Sequence, residues 1–196
     1  MATRFYIRQI LAVALIICWL SHGAHAANLA GMSLPDTYSV NGQSLVLNGL
    51  GLRTLTILSI RAYIAGLYLP QPSHDATQIL ASGEPRVLIL RFLRSASKAR
   101  IEAEYRAGER ENCGQGGCAA SDKADFERLI AVAPAVERGD TSTYVFTTSG
   151  VRVFANQRLI GDFANKDLAY HLLAGFIGPH PPSQQLRRRL LGLPGN

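Results

Sequence analysis

Apolar positions fall along this chain in unbroken runs, in alternating runs and in stripes three or four residues apart. The densest unbroken stretch lies between Asn48 and Pro70, where apolar runs over 52–60 and 62–69 follow a Gly49-x-Gly51 turn. Thr54, Thr56, Ile57, Ile60, Tyr63, Ile64 and Tyr68 are β-branched or aromatic, which favours pleated strand over helix. A strand apolar on both faces belongs inside a covered sheet. Arg53, set within such a strand, therefore needs a partner or a water-filled cleft. Short alternating runs at 38–40 and 44–47 flank Asn41-Gly42, which predicts a hairpin. Pro70-Gln71-Pro72 ends the central run, and Arg86–Phe92 predicts another buried strand.

Helical spacing dominates afterwards. A short helix is expected over 75–81, capped by Ser73 or His74. A polar helix over 97–110, capped by Ser97, places Ile101, Tyr105 and Gly108 on one face. Another helix is expected over 122–132, with Phe126, Leu129, Ile130 and Ala133 inward and Pro134 closing it. Strands are expected at 141–147, 151–155 and 158–160, joined by Ser149-Gly150 and Asn156-Gln157 turns. Helices at 166–177 and 183–191 end at Gly178-Pro179 and Gly192. Strands first, helices inserted, strands again and helices last argue for an α+β domain with an antiparallel-rich sheet.

The N-terminus changes the setting. Arg4 and Arg8, an apolar run over 10–20 and the small-x-small triplet Ala24-His25-Ala26 read as a secretory signal peptide over 1–26, leaving one domain over 27–196. The apolar run is too short to span a bilayer, so the protein is expected to be periplasmic or secreted, with no membrane span after cleavage. Cleavage removes two arginines and no acids, lowering the formal charge from +6 to +4. The remaining positive charge is scattered apart from Arg187-Arg188-Arg189 and lacks interleaved aromatics, which argues against nucleic acid as a partner. Cys18 leaves with the signal peptide. Cys113 and Cys118, in C-G-Q-G-G-C, are expected to form a disulfide in an oxidising compartment.

No catalytic or cofactor motif emerges. Gly49-x-Gly51 precedes a strand, whereas a phosphate loop opens a helix. His74, His171 and His180 are widely spaced and none lies near the cysteines in sequence, so neither a metal nor a cofactor is expected.

Four motifs carry a resemblance: L-P-D-T at 34–37, N-G-x-G-L-R ending at Arg53, A-Y-I-A-G-L-Y-L-P at 62–70, and I-G-x-x-P-P-x-x-x-L-x-x-x-L-L-G at 177–192. Nearly all of the chain beyond the signal peptide thereby resembles the bacterial exported chalcone isomerase-like proteins. The resemblance implies an open-faced β-sandwich, an antiparallel sheet covered by a helical layer with an apolar cleft between them. In the plant isomerases of the superfamily an arginine after such a turn polarises the substrate during an intramolecular conjugate addition, and Arg53 matches it. A plant threonine corresponds to Tyr63, and the helical tyrosine and asparagine align with Arg100 and Ala107. Related fatty-acid-binding members use the arginine to hold a carboxylate. The leading expectation is therefore an apolar small molecule with a carboxylate or carbonyl, bound by Arg53 with Tyr63, Tyr68 and Tyr105. The alternatives are an intramolecular lyase of the chalcone isomerase type with Arg53 as its catalytic residue, and a structural or interaction protein whose Arg53 is tied to a carboxylate or to carbonyls. Arg61, eight residues on, would share the face of Arg53 only if the strand were continuous.

Overall fold

The computed structural model describes residues 26–55, 59–113 and 117–195. The chain begins with a hairpin of β1 (Ala26–Leu29) and β2 (Met32–Pro35), turned by Ala30 and Gly31 at φ 53° and 78°. Sequence reading missed it, because two four-residue strands around Ala-Gly carry too little alternation to register. Seven strands then form one antiparallel sheet in chain order: β3 (Thr37–Val40), β4 (Gln43–Leu55), β5 (Ile60–Leu69), β6 (Arg86–Phe92), β7 (Thr141–Phe146), β8 (Val151–Ala155) and β9 (Arg158–Phe163). Helix α1 (Ala76–Ala81) joins β5 to β6. Helices α2 (Lys98–Cys113) and α3 (Ala120–Val132) join β6 to β7, and α4 (Lys166–Ile177) and α5 (Gln184–Leu190) come after β9. The curled sheet with its helices is the expected α+β, open-faced sandwich.

Both faces of the sheet are buried, by different covers. On one face Ala65, Leu67, Leu88, Leu90, Tyr144 and Val153 pack against Phe126, Leu129, Leu168, Leu173 and Leu186 from the helices. On the other face Ile64, Tyr68, Val87, Ile89 and Val145 pack with Leu34 and, at the edge, Leu29 and Met32 of the hairpin. Two-sided burial explains why β5 and β6 read as continuous apolar runs.

The hairpin at Asn41-Gly42 forms as expected, with φ 49° and 82°. Beyond Gly42 the chain departs from expectation. The segments 44–47 and 52–55 belong to one thirteen-residue strand, β4, and Gly49-x-Gly51 lies within it instead of turning the chain. Those glycines serve contact with α5. A Cβ on Gly49 would stand 2.5 Å from the Leu190 carbonyl oxygen, and one on Gly51 would stand 2.7 Å from Leu186 Cδ1. The register slips between Leu47 and Gly49, and Asn48, at the slip, donates to Leu190 O (2.9 Å) and accepts from Ser73 N (2.7 Å). Residues 56–58, part of the expected strand over 52–60, lie outside the described residues. The chain has reversed by Ile60, so Arg61 pairs with Thr54 across β4 and β5 and is exposed.

Smaller differences arise from side-chain chemistry. Asp75 caps α1, accepting from Thr77 N and Gln78 N, in place of Ser73 or His74. Helix α2 starts where Ser97 Oγ accepts from Arg100 N (3.3 Å) but runs on to Cys113. Cys113 and Cys118 form the expected disulfide.

Candidate functional site

Arg53 and Tyr63 are direct cross-strand partners on β4 and β5. Tyr63 packs against the helix-side core, so the pair faces the helices. Immediately beyond it the register shifts again, between Arg53 and Thr54, leaving Ala62 as the extra residue of β5. Ala62 O then accepts from Leu93 N at 2.9 Å. Bulges of this kind bend a strand and re-aim its side chains. Here the bulge sits beside the arginine.

The Arg53 guanidinium is half-buried and its Nη1 donates to Thr54 O at 3.0 Å and Pro182 O at 2.7 Å. Among the described residues it makes no ion pair with a carboxylate. The Tyr63 hydroxyl lies beside it. Burial pushes the Tyr63 pKa up, the Arg53 charge works against that shift, and Glu104 adds to it. Tyr63 also meets Phe92 edge to face, with ring centroids 5.9 Å apart.

Helix α2 contributes a second phenol. Tyr105 reaches down to the sheet and shares a hydrogen bond with the Tyr144 hydroxyl at 2.5 Å. Burial pushes Tyr105 up to about 12, with the bond to Tyr144 acting in the opposite sense. Tyr144 is also raised well above the ordinary tyrosine value, by burial first, then by Tyr105 and Tyr63. All three hydroxyls therefore stay protonated at neutral pH. Around them Tyr144 stacks with Phe146, rings 6.3 Å apart, and meets Phe176 of α4 at 6.5 Å. The ensemble is a cation and three phenols set in an apolar layer, able to donate to an anionic or carbonyl oxygen.

The structure separates the candidates named from sequence. Arg53, Tyr63 and Tyr105 lie on the helix-covered face. Tyr68 belongs to the opposite face, fully buried, where its hydroxyl donates to Pro35 O at 2.8 Å. It lies apart from Arg53 because five residues along a strand invert the side-chain direction. Arg100 points outward and pairs with Glu104 at 2.6 Å. Tyr144 was missed: its strand, T-S-T-Y-V-F, is apolar at three consecutive positions and buried on both faces, so no alternation marks which face Tyr144 takes. Among the described residues the most buried arginine is not Arg53 but Arg86, 7 % exposed, whose Nη1 donates to Ile79 O (2.8 Å) and Leu80 O (3.1 Å) at the end of α1. Burial lowers its pKa, and its role is to satisfy helix-end carbonyls.

A curled antiparallel sheet under a helical layer, with the Arg53 guanidinium and a set of phenols on the covered face, defines an open-faced β-sandwich with polar side chains set in an apolar layer. The chain belongs to the chalcone isomerase-like family, whose model matches residues 26–192. Among solved structures it is similar to the crystal structure of a fatty-acid binding protein of Arabidopsis thaliana, with 14% sequence identity and a TM-score of 0.66, covering 85% of this chain and 96% of that one. A search of curated proteins finds no match.

Proposed function

We propose that the protein is an exported binding protein for a small apolar molecule carrying a carboxylate or carbonyl, of the fatty-acid type, held by Arg53 and Tyr63 with Tyr105 and Tyr144 close by. The carrying observation is the Arg53–Tyr63 cross-strand pair on the helix-covered face, where the guanidinium meets carbonyls and a phenol and no carboxylate of the described chain. A planar, permanently charged fork beside a protonated phenol suits a ligand oxygen. The solved relative is itself a fatty-acid binding protein, which favours an aliphatic acid. Export rests on the basic, apolar and small-residue pattern of residues 1–26, and the family match starts at that junction.

A second reading has a specific observation behind it. The bond from Arg53 to Pro182 O joins β4 to the segment before α5, so Arg53 also serves as a tie. The test measures binding of a long-chain fatty acid, ring closure of a hydroxychalcone followed by absorbance, and thermal stability, for the parent, Arg53→Ala and Arg53→Lys. The expected result is fatty-acid binding weakened by about 2 to 5 kcal/mol in Arg53→Ala, the cost of breaking a buried charged contact, with poor rescue by lysine. A parent that binds no fatty acid, with Arg53→Ala losing stability alone, establishes the tie as the role. Chalcone turnover above the spontaneous rate, lost in Arg53→Ala, makes the protein an isomerase.

A further inference from the structure

Sequence placed no histidine near the cysteines; the fold does. Cys113 ends α2, Cys118 lies just before α3, and His171 comes from α4, yet the two sulfurs and an imidazole nitrogen all lie within 4.8 Å of one another. Both cysteines are buried, at 5 % and 8 % exposed, and His171 is half-buried with its ring edge-to-face on Tyr170 at 5.4 Å. We propose that Cys113, Cys118 and His171 form a redox-gated site for a soft or borderline cation of the zinc class, closed as the disulfide and open once that bond is reduced.

The chemistry balances in two steps. A dithiol reductant gives two electrons, the Sγ–Sγ bond breaks, and the reductant leaves as its own disulfide while Cys113 and Cys118 become thiols. A dication then displaces the two thiol protons to solvent and binds two thiolates and the neutral imidazole. Zinc–sulfur bonds of about 2.3 Å and zinc–nitrogen bonds of about 2.0 Å put tetrahedral donors roughly 3.5 to 3.8 Å apart. The sulfurs must therefore separate by about 2 Å and the imidazole close by about 1 Å. Three protein ligands leave a fourth position open to water or a further group. Thiolates with imidazole select zinc or cuprous ions over magnesium or calcium.

The test uses the folded full domain, reduced with a phosphine under argon and titrated with Co2+, then with Zn2+ in competition. The expected result is one equivalent of Co2+ bound with thiolate-to-metal charge-transfer absorption by the reduced protein, and none by the oxidised protein. Cys118→Ser is expected to weaken binding at least 100-fold. His171→Ala is expected to weaken it at least 10-fold and to change the cobalt ligand-field bands, and because it leaves the disulfide intact its fold can be checked in the oxidised state. Reduced protein that binds Co2+ no more tightly than the Cys113→Ser/Cys118→Ser double variant overturns the proposal. So does His171→Ala with unchanged affinity and spectrum, or loss of near-ultraviolet dichroism on reduction alone.

Discussion

Tyr105 and Tyr144 offer a quantitative test of the site, because each hydroxyl is the other's partner at 2.5 Å and Tyr144 is 4 % exposed. Tyr105→Phe removes one oxygen and strands the other in an apolar layer. A buried polar group left without its partner costs about 1 to 3 kcal/mol, and Tyr144→Phe should cost about the same. Tyr105→Phe/Tyr144→Phe together remove both groups, so the double variant should lose about 1 kcal/mol or less, well short of the sum of the two. The coupling, the sum of the single losses less the double, is then about 1 to 5 kcal/mol, above the ~0.3–0.5 kcal/mol within which independent sites add. The assay is equilibrium unfolding in urea with the disulfide intact, at constant slope. Each kcal/mol also appears as roughly 2 to 4 °C in Tm for a domain of this size. Additive single effects would refute the shared bond. So would a double variant less stable than either single one.

Alkaline pH should expose the same tyrosines. Tyr105 is raised to about 12 while an unfolded tyrosine ionises near 10, so stability is intact below pH 10 and falls as pH climbs from about 10 toward 12, by up to about 1.4 kcal/mol per pH unit for each such group; tyrosinate absorbance and urea midpoints across that range check it. Gly49→Ala should destabilise by about 1 to 3 kcal/mol, since the new Cβ meets backbone of α5 and no flexible side chain can yield. Gly108→Ala should stabilise by about 0.5 to 1 kcal/mol, because it lies in α2 with nothing within 4 Å of the new methyl group; thermal melts of both glycine variants read the opposite signs. Asn165→Ala should cost about 1 to 2 kcal/mol by urea unfolding, because Asn165 caps α4 and its amide also donates to Asp122 and Asp125 of α3, both at 3.0 Å.

Local signals carried the reading of the sequence wherever chemistry is local. Asn41-Gly42 dictated its turn, Ser97 started a helix, Pro134 stopped one, and glycines spaced the cysteines. Arg53 stood out because a charge in an apolar strand demands an account. Relations between distant segments were not legible in the same way. Gly49 and Gly51 looked like a turn because a glycine that turns the chain and a glycine that admits a helix are the same residue, and only the docking of α5 tells them apart. Tyr68 was grouped with Tyr63 for its chemistry, although the five-residue spacing within one strand already sets the two on opposite faces. His171 was set aside because fifty-three residues separate it from Cys118 and nothing local marks the fold that closes that gap.

The early and late parts of the chain meet at the anchor. Arg53 is held by Pro182, 129 residues on, and Asn48 by Leu190, 142 residues on. Strands β3 to β9 can zip in order as the polypeptide lengthens, each onto its predecessor. The setting of Arg53 stays unfinished until the segment from Pro182 to Leu190 has been made and docked. On the proposed reading of Arg53, ligand affinity should therefore be lost from chains truncated before Pro182, however native their sheet, and so report whether that late segment has docked.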